Sequence, residues 1–354
     1  MLMALMGAAA AAAEPAPARP TMLDRPAVFT VEAARQGLLL GLAAAGPRVV
    51  AVGEGGHVIL SDDGGATWRA ARSVPTSATL TAVRFADTRT GWAVGHLGVV
   101  LRTEDGGETW MRQLDGVQAA ALTLQAVRAR VGDAPAEPQR MALRLAELSV
   151  ADGPNKPFLA LRTDGPQHAL VLGAFGLALE TRDGGRTWSS VAERFDNDRG
   201  SHYYGVVADG EQLWLAGEQG LLMRPAAGGR SQAVTSPYPG TLFGLLRTQD
   251  GGLVAYGLRG TVLRSADGGA SWQKVASGAE VSFQAGAVLP DGTLVLANEI
   301  GQLFVSRDHG RHLTALNLHL PPVADLLALN DKRLLAAGPR GVQPVDLSGQ
   351  KALQ

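Results

Sequence analysis

The chain has 354 residues and a formal net charge of −1, with its arginines and lysines scattered among turns. It therefore carries no basic footprint for nucleic acid. It has no cysteine, which excludes disulfides, thiol catalysis and thiolate metal sites.

Residues 1–13, MLMALMGAAAAAA, resemble a secretory signal peptide, with small residues at Ala11 and Ala13 suited to cleavage before Glu14 but no basic segment ahead of the apolar run. A periplasmic, exported protein is expected. The run is short of the roughly 20 apolar residues that span a membrane, and no transmembrane segment is expected elsewhere. Residues 14–26 read as a Pro/Ala-rich linker. Ala27–Ala33, AVFTVEA, alternates apolar and polar residues and reads as a strand.

From there a Gly-x-x-Gly turn recurs, its last residue falling at Gly56, Gly98, Gly176, Gly220, Gly260, Gly301 and Gly341, at spacings of 42, 78, 44, 40, 41 and 40. The clearest copy divides into four short apolar stretches, LTAVRF, GWAVGH, GVVLRT and TWMRQL. Four strands per unit of about forty residues indicate β-propeller blades rather than helical repeats. The fold expected is all-β, a seven-bladed β-propeller of four-stranded antiparallel blades over residues 27–349. Blade seven supplies only three stretches, PVADLLALN, LLAAG and VQPVDL, so the strand at 27–33 is expected to complete it and close the ring, removing a free sheet edge.

A second cassette follows most turns: SDDGGATW with Asp63 and Trp68, TEDGGETW with Asp105 and Trp110, TRDGGRTW with Asp183 and Trp188, and SADGGASW with Asp267 and Trp272. SRDHGRHL from Ser306 has lost the Trp, blade four has Ala227 in place of the Asp, and blade seven has no cassette. Each reads as the hairpin between the third and fourth strands, its carboxylate accepting backbone N–H groups and its Trp anchoring the outer strand between blades.

The long interval holds an insertion at 115–157. Val117, Ala120, Leu124, Val127 and Val131 recur at helical steps, and after a break at Gly132–Pro138 so do Met141, Leu145 and Leu148. A helical hairpin between blades two and three is expected, on the same face as the Gly-x-x-Gly tips. Its apolar stripes either pack against each other and the rim or form a docking element, with Arg128, Arg130, Arg140 and Arg144 beside them. The tips themselves carry Glu54, His96, Phe175, Glu218, Arg259, Glu299 and Arg340, the candidate partner-binding residues.

The cassettes resemble the Asp-box, or BNR, repeat, and the chain as a whole resembles the photosystem II stability/assembly factor group, including bacterial relatives outside photosynthesis. The resemblance implies a non-catalytic propeller that assists assembly, stability or activity of a membrane protein complex from its extracytoplasmic side. The helical insertion followed by GPNKPF at Gly153–Phe158 is similar to proteins found beside RND/MMPL-type transporters, which implies an inner-membrane transporter as client. Photosynthetic members are expected to present an Arg-rich patch, whereas here Arg259 and Arg340 alternate with Glu54, Glu218 and Glu299, a departure that favours a different partner.

The alternative is an Asp-box glycoside hydrolase of the sialidase-like kind. Such an enzyme needs a Tyr nucleophile activated by a Glu, an Asp acid and three Arg residues on the substrate carboxylate. The chain has only Tyr203, Tyr204, Tyr238 and Tyr256 and lacks the Arg-Ile-Pro segment typical of sialidases. The seven His residues show no metal-ligand spacing, and no phosphate-cradling loop is present. No catalytic residue, metal or cofactor is expected.

Overall fold

A computed structural model describes residues 21–132 and 136–349; the expected signal peptide and the first part of the linker lie outside the described residues. Seven antiparallel sheets follow one another around a ring, six of four strands and the last of three. Blade one is typical. Its inner strand Leu39–Ala45 pairs with Arg48–Gly53, which pairs with Val58–Ser61 and then with the short outer strand Arg69–Ala70.

Burial explains why the ring forms. The second strands, such as Gly91–Gly95 and Leu253–Gly257, are buried at every residue, so both faces of each blade must be covered by neighbours. The core accordingly divides into seven clusters, one per blade interface. Val50 and Leu60 of blade one meet Leu80 and Leu101 of blade two in the first, and Val254 and Tyr256 of blade five meet Phe283 and Leu294 of blade six in another.

The Gly-x-x-Gly motif is set by backbone approach. A Cβ on Gly95 would lie 2.1 Å from the Thr79 carbonyl oxygen, and one on Gly98, at φ +64°, would lie 2.5 Å from the Gly116 Cα. The first glycine admits the start of the inner strand; the second admits the link leaving the outer strand. Between them, in blades one to five, the tip residue adopts left-handed backbone, and at four of these tips it is not glycine: Leu97, Phe175, Gln219 and Arg259.

The ring closes differently from the sequence expectation. Ala27–Ala33 contributes no strand, and blade seven keeps its three strands, Asp325–Ala328, Arg333–Gly338 and Gly341–Asp346. Instead the chain enters a short helix, α1 (Val31–Gln36). Thr30 caps it by accepting the Ala33 N–H at 3.2 Å, Glu32 lies in its first turn and Arg35 in its last. These local helix signals outweigh the alternation. Ala34 is fully buried, in a cluster with Leu39 and Ile59 of blade one and Leu335 and Ala337 of blade seven. A Cβ on Gly341 would lie 1.5 Å from the Arg35 carbonyl oxygen, so the last turn tip rests directly on the end of α1. Asp325 adds a second tie, its Oδ2 accepting the Leu42 N–H at 2.8 Å across the blade seven to blade one seam.

Candidate functional site

Strand order puts the turns between second and third strands at one end of the ring and the Asp-box turns at the other. In each intact Asp-box the geometry repeats. Asp183 Oδ1 accepts from the Thr181 hydroxyl at 2.9 Å and the Thr187 N–H at 2.9 Å, and Oδ2 accepts from the Thr187 hydroxyl at 2.6 Å. The Thr181 hydroxyl oxygen accepts the Gly185 N–H. Asp63, Asp105 and Asp267 make the same set. The Trp-less fifth cassette keeps it too, with Asp308 taking the N–H of His312 and bonding to its ring. Hydrogen bonds from Thr67, Thr187 and Ser271 hold Asp63, Asp183 and Asp267 down at about 2. These carboxylates are thus saturated by their own turns.

The cassette tryptophans pack back onto the preceding blade. Trp110 joins Val50 and Leu60 of blade one, Trp188 meets Trp92 of blade two edge-to-face at 5.8 Å, Trp272 meets Trp214 of blade four, and Trp68 packs on Leu335 of blade seven. Trp110 and Trp68 also donate their indole N–H to the carbonyls of Gly107 and Gly65. The Asp-box carboxylates therefore fix their own turns and the indole rings hold neighbouring blades together, although the Trp188 and Trp272 N–H groups have no partner among the described residues.

The opposite end is different. The insertion forms α2 (Gly116–Arg128) and α3 (Glu137–Ala151). Asp115 caps α2 by accepting the N–H groups of Val117 and Gln118, and Gln118 returns a bond to the Asp115 N–H. The helices pack on each other, and α2 also lies against the tip His96–Gly98 and the outer strand Ser189–Ser190 of blade three. The hairpin thus sits beside the turn tips, tied down by Arg130 to Glu193 at 3.4 Å and by Ala119 in the blade two to three core.

The two helices present their expected stripes differently. Buried positions are Gly116, Ala119 and Ala120 on α2 and Ala146 and Ser149 on α3. On α2 Leu124 and Val127 are half-buried with Ala120 and Leu122 packs on the core, whereas on α3 small side chains are buried and most of the large ones face outward. Val117 is exposed, Val131 lies beyond the helix, and Met141, Leu145 and Leu148 are 47, 58 and 52% exposed. Spaced four and three residues apart, these last three form one apolar ridge on α3. Arg144, also exposed, borders it, while Arg128 pairs with Glu147 at 3.2 Å.

The tip residues divide in two. Glu54 and Glu218 serve the fold, accepting the N–H groups of Leu38 and His202 at 3.0 and 3.2 Å, where each inner strand begins. His96, Arg259, Glu299 and Arg340 are exposed. Phe175 is 62% exposed beside the hairpin, with the Lys156 ammonium 5.7 Å from its ring. It begins an aromatic run the sequence did not disclose: Phe175 to His202 at 4.8 Å, His202 to Tyr204 at 6.3 Å and Tyr204 to Phe243 at 5.5 Å. Tyr204 and Phe243 line the central channel, so the run joins the hairpin side to the channel.

Asp196, Asn197 and Asp198 do not converge on a cation. Asn197 bonds both ways with the Ser201 backbone, and Asp196 accepts from Ala233. Among the described residues no group of three or more His, Asp and Glu side chains has a metal-binding arrangement, and no helix is long and apolar enough to cross a membrane.

Fold and turns together define a seven-bladed Asp-box propeller. The family described as photosynthesis system II assembly factor YCF48 matches residues 149–313. The photosystem II assembly lipoprotein Ycf48 of Synechococcus sp. (strain CC9902) is 25% identical over 153 residues, 41% of this chain and 44% of the relative. The chloroplastic photosystem II stability/assembly factor HCF136 of Arabidopsis thaliana is 24% identical over 218 residues, 55% and 54% of the two chains. The chain spans about half the length of the curated relatives it matches. Among solved structures, a YCF48 bound to a D1 peptide superposes with a TM-score of 0.65 at 17% identity, covering 94% of this chain and 99% of that one. The chain is similar to photosystem II assembly factor-like BNR β-propellers in fold and over part of its sequence.

Proposed function

We propose that the protein is a non-catalytic, exported scaffold that binds a membrane protein complex at its extracytoplasmic side and assists its assembly, stability or activity. The observation that carries this reading is the apolar ridge Met141, Leu145 and Leu148, held outward on α3, which packs on α2 and through it on the propeller. Large apolar side chains aligned on one exposed face mark an interaction surface. Similarity to assembly factors, one of which has been solved with a D1 peptide, supports a polypeptide client. The mixed Arg and Glu tips favour a client other than a photosystem. An RND/MMPL-type inner-membrane transporter fits the GPNKPF segment after the hairpin, and a periplasmic location follows from the same reading.

The test is co-purification from crosslinked, detergent-extracted membranes of the native host, with the parent protein and a Met141→Ser, Leu145→Ser, Leu148→Ser variant. One inner-membrane complex should be enriched with the parent and lost with the variant at unchanged melting temperature. Enrichment that survives the three substitutions, or saturable hydrolysis of any glycoside in a broad panel, overturns the reading.

A further inference from the structure

We propose that the central channel is a binding site for a small zwitterion of the amino-acid class, its carboxylate received by Arg84, its ammonium group by Asp325, and a further hydrogen bond supplied by the Tyr256 hydroxyl. The channel has a volume of about 580 Å³, walled by apolar side chains such as Leu40, Val206 and Leu246, with Thr81, Tyr204, Gln284 and Glu299 beside these polar groups. Apolar walls with a small number of placed polar groups are the usual make-up of a small-molecule site.

Tyr256 carries the argument furthest. It belongs to the second strand of blade five, not to an inner strand, yet it lines the channel. It gets there because two inner-strand positions lack side chains. A Cβ on Gly244 would lie 2.1 Å from the Tyr256 hydroxyl oxygen, and one on Gly286 would lie 2.9 Å from its Cε1. The ring passes through this gap and is only 6% exposed. Its hydroxyl has no hydrogen-bond partner among the described residues and opens onto the channel, so its donor and acceptor are available to a ligand there.

The two charged groups are held but not spent on each other. Asp325 accepts the Leu42 N–H on Oδ2 and the Leu326 N–H on Oδ1, at 2.8 and 2.9 Å. That fixes the carboxylate plane and leaves acceptor capacity on both oxygens. Arg84 donates through one terminal nitrogen to the carbonyls of Val83 and Leu42, at 2.7 and 3.4 Å, leaving its Nε and second terminal nitrogen for a ligand. Both groups thus bind the backbone of Leu42, one at its N–H and one at its C=O. They form no ion pair with each other. Arg84 is exposed, so its remaining donors, like the Tyr256 hydroxyl, are open to a ligand in place of water.

Charge selects the ligand class. Arg84 and Asp325 offset each other and Glu299 adds a second acid to the lining, so a simple anion leaves Asp325 uncompensated and a simple cation leaves Arg84 so, whereas a zwitterion satisfies both.

The experiment is isothermal titration of the intact chain with each of the twenty proteinogenic amino acids, L-leucine first because of the apolar walls. Leucinamide, which lacks the carboxylate, and 4-methylpentanoate, which lacks the ammonium group, are the matched controls. At least one amino acid should bind saturably, with the corresponding single-charge analogues weaker by about tenfold or more, the loss expected for one charge-assisted hydrogen bond. Arg84→Gln and Tyr256→Phe should each weaken binding while leaving the melting temperature in place; Tyr256→Phe removes one oxygen and keeps the fold testable if Arg84→Gln does not fold. Absence of binding by every amino acid, equal binding of the single-charge analogues, or undiminished binding to Tyr256→Phe overturns the proposal.

Discussion

Replacing Trp110 with alanine tests whether the Asp-box tryptophans are inter-blade anchors. Trp110 is 3% exposed, packs on Val50 and Leu60 of the preceding blade, stands edge-on to Phe85 at 6.2 Å, and donates its indole N–H to the Gly107 carbonyl at 2.9 Å. Truncating a fully buried Trp costs about 3–5 kcal/mol. For a chain of this size about 2 °C is lost per kcal/mol, so the melting temperature should fall by about 6–10 °C. Trp68 makes the same indole bond but is only half-buried against Leu335, so Trp68→Ala should cost about half as much. Differential scanning calorimetry of the two variants supplies the comparison. A Trp110→Ala protein melting within about 2 °C of the parent, or a larger loss from Trp68→Ala, would refute the anchoring role.

Other consequences follow from the same geometry. Acidification should destabilise the propeller as pH falls from about 4 toward 2. Asp63, Asp183 and Asp267 sit at about 2 in the fold against 3.8 ordinarily, so the stability they supply is fully present above the ordinary value and is lost as each is protonated. Calorimetry of an Asp63→Asn, Asp183→Asn, Asp267→Asn variant should show a flatter acid limb. Ala34→Asp places a carboxylate in the sealed seam between blades seven and one and should lower the urea midpoint by an amount equivalent to about 3 kcal/mol. An unchanged midpoint would mean that α1 does not close the ring. Phe175→Gly relieves a non-glycine residue at φ 56°, which offsets its lost contacts, so stability should stay within about 1 kcal/mol of the parent while client binding weakens.

Much of the ring is legible in the sequence because its constraints are local. Gly95 and Gly98 are needed where backbone meets backbone, and the Asp-box hydrogen bonds span four residues, so each copy announces itself. What escaped depends on orientation or on distant chain. Alternation at 27–33 imitates a strand, but the Thr30 cap and the packing of Ala34 decide for helix. The apolar periodicity at 115–157 identifies two helices without saying which side packs. On α3 alanine and serine are the buried positions, and Met141, Leu145 and Leu148 are left outside. Glu54 and Glu218 look like free tip acids until their bonds to Leu38 and His202 are seen. Tyr256 reads as a second-strand core residue, and only the adjoining Gly244 and Gly286 reveal that it reaches the channel.

The hairpin ridge as docking surface is tested most directly by placing the photo-crosslinking residue p-benzoylphenylalanine at Leu145 and, separately, at Arg186 on an Asp-box turn at the opposite end of the ring. Irradiation in the native host should give a discrete adduct between the Leu145 position and one inner-membrane protein, and none from Arg186. No adduct at Leu145, or the same adducts from both positions, would contradict docking through α3.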